Sequence, residues 1–134
     1  AKNLWVVGSN SFRTTSTAFV ARFDGREWNE VDPPPLGTAQ RFRREYLGDV
    51  SVLASNDVWV TGAEVFTEKG PDADRSVLAH WDGSTWDVEY EIEGGSLDID
   101  MLSPTEGWAV GTVYEESESG DVYSSDGLIL HYEC

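Results

Sequence analysis

Short runs of alternating apolar and polar residues, separated by turn residues, make up most of the chain and predict β-strands. Residues 49–55 and 98–104 show the alternation, and residues 77–86 show the clearest turn, where the apolar run Val77–Trp81 is followed by Asp82-Gly83 and then by a second apolar strand. Asp-Gly between two such runs is typical of a β-hairpin, because glycine tolerates the positive φ that the turn requires. No segment has a helical period of useful length. The pattern therefore predicts an all-β fold.

The predicted strands recur along the chain. Three copies of one short strand lie about 50 residues apart and begin at Trp5, Trp59 and Trp108. One full repeat contains four strands, a to d, at Asp49–Ala54, Val58–Thr61, Val77–Trp81 and Thr85–Tyr90. Four-stranded units of this length, with recurrent Gly and aromatic positions, are typical of β-propeller blades. We therefore expect antiparallel four-stranded blades, with the recurrent tryptophans packed between them: Trp5, Trp28, Trp59, Trp81, Trp86 and Trp108.

The repeat boundaries give about two and a half blades in one partial domain, residues 1–134. The first blade has strands b–d in residues 3–32, the second spans residues 47–92, and the third has strands a–c in residues 96–134. Such an arc leaves open edges and an uncovered blade face. Three explanations follow: a piece of a longer propeller, which we favour, a ring completed by several copies, or a sequence that covers only part of the protein.

The motif Asp-Val-Trp-x-x-Gly, a variable loop, then apolar-His-Trp-Asp-Gly-x-x-Trp resembles the repeats of secreted bacterial β-propeller proteins. More distantly, it is similar to Asp-box repeats of sialidase-like propellers and to photosystem assembly-factor propellers. It departs from an Asp-box because Asp82 and Gly83 are adjacent. The resemblance covers nearly the whole chain and implies a propeller in an extracellular or cell-surface protein. It does not imply one function, because propellers include hydrolases, lectins and scaffolds.

Charge narrows the range of partners. The chain has 25 acidic and 9 basic residues, for a formal net charge of -16. Such a surface repels phosphate backbones and anionic lipids, so we expect neither nucleic acid nor a membrane as partner. The one cysteine, Cys134, excludes an intrachain disulfide. It occupies the repeat position of Gly25 and Gly83, which fits a boundary or a covalent tether better than a turn.

Predicted long connections at residues 9–18, 63–76, 112–127 and 30–47 should all emerge on one face of the blades, where binding residues are most often found. We expect a protein or glycan to bind this face. The basic cluster here could clamp a carboxylate, although pairing with acidic loops or a neighbouring chain is favoured. The candidate ligand-binding residues are Arg41, Arg43, Arg44, Phe66, Tyr114 and Tyr123.

Acidic residues in two of these loops make calcium the one cofactor to consider. The candidates are Asp72, Asp74, Glu118 and Asp121, and calcium takes six to eight such oxygens. Their spacing does not match an EF-hand loop, so a solvated acidic loop without cofactor is favoured.

No catalytic motif is evident. His80 and His131 share one repeat position, which favours a hydrogen-bonded structural role, and no Gly-x-Ser-x-Gly or phosphate-loop pattern occurs. The sequence therefore predicts a non-catalytic binding or assembly module rather than an enzyme. Two alternatives remain open: part of a glycoside hydrolase or lyase propeller of the sialidase-like type, and a structural subunit that self-associates through its open edges.

Overall fold

The computed structural model describes residues 3–13, 15–37, 43–66, 74–116 and 123–134. Every regular element in these ranges is a β-strand, and none of the described residues forms a helix suited to crossing a membrane. The prediction of an all-β, antiparallel fold is confirmed. The strands are β1 (Leu4–Phe12), β2 (Thr15–Phe23), β3 (Trp28–Val31), β4 (Arg43–Ala54), β5 (Asp57–Phe66), β6 (Arg75–Trp81), β7 (Trp86–Glu93), β8 (Gly95–Ser103), β9 (Glu106–Glu116) and β10 (Tyr123–Glu133).

The strands pair as three antiparallel meanders. The first meander is β1–β3, the second is β4–β7 and the third is β8–β10. One parallel residue pair, Ser16 with Arg44, links β2 to β4 and so joins the first meander to the second. The third meander forms a separate sheet.

The strands extend further than the sequence predicted. The expected long connection at residues 9–18 is wrong, because β1 and β2 remain paired as far as Phe12 and Thr15. The connections at 63–76 and 112–127 are likewise shortened, since β5 continues to Phe66 and β9 to Glu116. In β1 and β2 most of the polar residues at 9–17 face water, which a strand accepts, whereas Glu64 and Ser76 are polar strand residues that are buried. Polar composition was therefore mistaken for loop structure.

The second meander is buried on both faces, which explains its run of apolar residues. Val58, Trp59 and Val60 are all buried although neighbouring strand residues point in opposite directions. We call the side of each meander that carries Trp5, Trp59 or Trp108 its Trp face, and the other side its opposite face.

The Trp face of the first meander packs against the opposite face of the second. Trp5 and Val20 form a buried cluster with Val60 and Ala79. The Trp5 ring lies edge-on to Trp81, with 6.1 Å between ring centroids. This arrangement supports the predicted packing role of these tryptophans and fixes the first meander on the second.

The same pattern joins the second meander to the third. Trp59 packs with Ile99, Met101 and Ala109, and its ring centroid lies 4.9 Å from that of Tyr132. Backbone N–H groups of β8 donate to side chains of β4: Ile99 to the Asp49 carboxylate and Met101 to the Ser51 hydroxyl, both at 2.9 Å. Each interface therefore places a Trp face on the opposite face of the following meander.

The Asp-Gly hairpins form as predicted. Gly25 and Gly83 have φ values of 103° and 105°, which glycine adopts without strain. The Asp82 carboxylate accepts hydrogen bonds from the Ser84 and Thr85 N–H groups at 2.7 and 2.8 Å. These bonds, that of Thr85 first, lower the pKa of Asp82 from 3.8 to about 2.

Trp59 should be the most costly tryptophan to truncate. It is 1% exposed, whereas Trp28 is 50% exposed. We expect Trp59→Ala to lower the free energy of unfolding by about 3–5 kcal/mol, because it leaves a cavity between two meanders. The half-exposed control Trp28→Ala should cost about 1 kcal/mol. Urea denaturation followed by circular dichroism measures both, and equal losses would contradict the assignment of Trp59 to the core.

The Asp82 turn should contribute a pH-dependent stability. Its folded pKa is below the unfolded value, so its contribution is complete above the unfolded pKa and is lost as pH falls from 3.8 to about 2. We expect Asp82→Asn to be less stable than the parent at neutral pH, with the difference shrinking over that interval. Asp87→Asn removes a carboxylate from the adjacent strand and is the matched control. If NMR titration of the carboxyl groups gives Asp82 a pKa near 3.8, the turn hydrogen bonds do not stabilise its charged form and the predicted pH dependence is wrong.

Candidate functional site

The repeated histidines have structural partners. The His80 ring stacks on Trp59 at 4.4 Å between centroids, and its Nε2 lies 2.9 Å from the Asp57 carboxylate. That carboxylate also accepts a hydrogen bond from the Trp59 indole N–H at 3.2 Å. His80 is thus hydrogen bonded within the repeat, as expected, and it orders β5 against β6.

Related arrangements occur in the other meanders. His131 stacks on Trp108 at 4.1 Å, and the Arg22 guanidinium lies over the Trp5 ring at 5.7 Å from its centroid. Because each meander has a Trp ring with a His or Arg side chain against it, these pairs belong to the repeated scaffold. Chemistry particular to this chain is better sought where the repeat is broken.

One such place is the cleft between the second and third meanders, near the ends of β5 and β9. A cavity of about 90 Å³ opens there. Its lining includes a tyrosine, a threonine and two serines. We call it the loop-end pocket, and its lining residues include Tyr46, Thr61, Ser76, Ser96, Leu97 and Asp98.

Thr61 is the least expected member of this lining. It is 1% exposed, and among the described residues its hydroxyl has no hydrogen-bond partner. The Ser76 hydroxyl, by contrast, donates to the Gly95 carbonyl at 2.7 Å. A buried polar atom without a partner costs free energy unless a water or ligand satisfies it. Thr61 therefore contributes to the pocket lining a buried hydroxyl that the described residues leave unsatisfied.

Tyr46 stands at the edge of the loop-end pocket, where it remains partly exposed. Burial raises the pKa of its phenol above 10.0, and the nearby charge of Asp74, followed by that of Tyr114, raises this pKa further. Tyr46 is therefore protonated at neutral pH and can both donate and accept a hydrogen bond.

Asp74 organises the backbone beside Tyr46. Its carboxylate accepts a hydrogen bond from the Phe66 N–H at 3.0 Å, and its carbonyl accepts one from the Gly94 N–H at 2.6 Å. The Gly94 carbonyl in turn accepts a bond from the Tyr114 N–H at 3.4 Å. These bonds bring the starts of β6 and β8 next to the ends of β5 and β9.

Arg75 and Glu64 secure the other side of this end. Arg75 donates to the Leu36 carbonyl at 3.0 Å and pairs with Glu91; that hydrogen bond to Glu91 raises the pKa of the guanidinium. Glu64 is buried, and a Cβ at Gly37 would overlap its carboxylate. The segment after β3 therefore lies directly against β5 at residue 37.

Three of the predicted site residues lie at this end: Phe66, Asp74 and Tyr114. Arg44 is exposed on β4, at the backbone position paired with Val65. Arg43 and Tyr123 begin β4 and β10, and only their backbone pairing is described. The remaining candidates lie outside the described residues: Arg41, Asp72, Glu118 and Asp121.

Within the described ranges, no group of three or more His, Cys, Asp or Glu side chains is arranged to hold a metal ion. Asp74, the one predicted calcium ligand that is described, already uses its carboxylate on the Phe66 N–H.

Sequence reasoning missed Tyr46, Thr61, Ser76 and Asp98. A signal was present, because Thr61 follows Val58-Trp59-Val60 and places a hydroxyl where the other copies have Val7 and Val110.

A scan against protein-family models and searches of curated proteins and of solved structures found no match. The geometry of the chain itself therefore carries the functional argument.

The electrostatic coupling of Tyr46 to Asp74 can be tested by titration. We expect Asp74→Asn to lower the pKa of Tyr46 toward 10.0, because it removes the negative charge but keeps an oxygen for the Phe66 N–H. Tyr114→Phe should have a smaller effect in the same direction, since Tyr114 contributes less than Asp74. NMR of the tyrosine Cζ carbons resolves each phenol, and a Tyr46 pKa unchanged in Asp74→Asn would rule out the coupling.

Proposed function

We propose that this chain is part of a β-propeller, in which each antiparallel meander is one blade. The support is the repeated packing of a Trp face on the opposite face of the next meander. A four-stranded second meander between two three-stranded neighbours agrees with this interpretation. The proposal extends the all-β, antiparallel architecture to a radial arrangement of blades, as in a propeller of an extracellular or cell-surface protein.

We further propose that the module is non-catalytic and binds an uncharged glycan at the loop-end pocket. The single observation that carries this proposal is the buried Thr61 hydroxyl, which has no partner among the described residues, in the lining of a cavity that also includes Tyr46. Sugars present alternating hydroxyl and C–H surfaces. Protein hydroxyl groups form hydrogen bonds with the sugar hydroxyls, and an aromatic ring covers the C–H surface.

Charge favours a neutral ligand over an anionic one. With a net charge of -16, the protein repels sialic and uronic acids at long range. Arg75 is already committed to Glu91 and to the Leu36 carbonyl. Of the predicted basic candidates, Arg44 is the one whose side chain the structure describes, and it is exposed, so the described residues support the carboxylate-binding alternative less well.

Binding should depend on the pocket residues. Against an immobilised panel of neutral, uronic-acid and sialic-acid oligosaccharides, we expect the parent chain to bind neutral members. Tyr46→Ala and Thr61→Val should each weaken binding by about tenfold or more, through loss of the ring and of the buried hydroxyl. The matched control is Tyr90→Ala, since Tyr90 is 39% exposed and Tyr46 is 38% exposed.

Several results would contradict the proposal. If the parent chain binds no neutral oligosaccharide, a neutral glycan is ruled out as the ligand. If the pocket variants and Tyr90→Ala lose the same amount of affinity, the loop-end pocket is ruled out as the binding site. Hydrolysis of a retained oligosaccharide, detected by mass spectrometry, would favour the glycosidase alternative. Binding of acidic sugars that is lost in Arg44→Gln would favour the carboxylate clamp.

A further inference from the structure

The Trp face of the third meander is uncovered. Trp108, Val110 and Ile129 are 41%, 49% and 70% exposed. Val110 and Ile129 are directly paired across β9 and β10, so they form one apolar surface with Trp108 and its stacked His131. The equivalent residues of the second meander, Trp59, Thr61 and Leu78, are all buried by the third meander.

The opposite face of the first meander is also uncovered. Leu4, Val6 and Trp28 are 44%, 46% and 50% exposed. Their counterparts in the second meander lie in or against the cluster that also contains Trp5: Val58, Val60 and Trp86. The chain therefore exposes one Trp face and one opposite face, and the same two kinds of face pack together twice within the chain.

These two surfaces cannot meet within one chain. They lie on the outer sides of the first and third meanders, and the second meander is packed between them. Both internal interfaces join a Trp face to an opposite face. We propose that the Trp face of the third meander packs against the opposite face of the first meander in a second copy of this chain, head to tail. A contact between two different surfaces closes into a ring or continues as a filament.

Two aspartates on the Trp face of the third meander are compatible with the proposed contact because they lie at its edge. Asp98 and Asp100 occupy the repeat positions of Asp49 and Ser51, which accept N–H groups of β8. Both aspartates are exposed on β8. In the proposed contact they lie beside the first meander, which has no described strand in the place of β8, so their carboxylates remain in water.

Net charge opposes the contact and gives it a salt dependence. Two copies that each carry -16 repel one another, and salt screens this repulsion beyond a Debye length of about 10 Å at 0.1 M. The apolar contact does not weaken with salt in this way. Association should therefore strengthen as sodium chloride is raised, unlike an association based on ion pairs.

Sedimentation analysis of the full chain over a range of concentrations, at low and high salt, tests the proposal. We expect the weight-average molecular mass to rise with protein concentration and with salt concentration. Ile129→Asp damages the Trp face and Val6→Lys damages the opposite face, so each variant alone should remain monomeric. An equimolar mixture retains one intact face of each kind and should form a one-to-one dimer that does not extend.

Glu115→Gln is the control for charge. It changes the net charge by one, as each test variant does, at an exposed residue near the end of β9. It should associate like the parent. Ile129→Thr and Val6→Thr keep a β-branched side chain and guard against unfolding; each should raise the dissociation constant about tenfold. Circular dichroism checks that every variant is folded.

Three outcomes would overturn the proposal. A parent chain that is monomeric at every concentration and salt would leave the face to another occupant, such as a further meander of a longer polypeptide. Self-association of Val6→Lys alone would indicate that two Trp faces meet. Failure of the mixed variants to form a dimer would exclude the head-to-tail contact. The assay does not involve the loop-end pocket, so its result is separate from that of glycan binding.

Discussion

Burial of the second meander on both faces is the constraint on which the rest of the structure depends. A four-stranded sheet on its own would leave both of its sides in water, with Val58 and Val60 on one side and Trp59 on the other. The first meander covers one side with its Trp face, and the third covers the other side with its opposite face. Hydrophobic burial of this kind scales with area and lacks direction, so it holds the meanders together without fixing their register. Directional bonds supply the register, as where Ile99 and Met101 donate to β4.

The division between scaffold and site follows from this constraint. Side chains that the repeat uses twice or three times are satisfied by one another, as Asp57 is by Trp59 and His80. The acidic residues of the hairpin turns are satisfied by backbone N–H groups, and the lowered pKa of Asp24 has the same cause as that of Asp82. These acidic side chains therefore stabilise the local structure of the repeat. What is left for a ligand is the small set of polar groups between meanders that the repeat does not satisfy.

The sequence predicted the strand type, the Asp-Gly turns and the packing of Trp5 and Trp59, because these depend on local pattern and on repetition. It failed on strand length, since a polar strand facing water and a polar loop have the same composition; β1 and β2 are the example. It also failed on the pocket. Tyr46 and Asp98 are far apart in the chain, and only the packing of β4 and β5 against β8 brings both to one cavity. Phe66, Asp74 and Tyr114 were candidates because the sequence placed them in connections on one face of the blades, and all three lie at the same end of the sheets.

The pocket also alters the relation between variation and function that the sequence suggested. Function was expected in the connections between strands, yet Thr61 and Ser76 lie within strands at repeat positions. Their counterparts are Val7 and Ala18 in the first meander and Val110 and Gly127 in the third. A hydroxyl replaces an apolar or small side chain at both positions in the second meander alone, and both hydroxyls line the same cavity. The Ser76 hydroxyl is bonded to the Gly95 carbonyl, whereas the Thr61 hydroxyl has no partner among the described residues, and this difference is the basis of the proposed binding site. The repeat is thus the reference against which this site becomes visible.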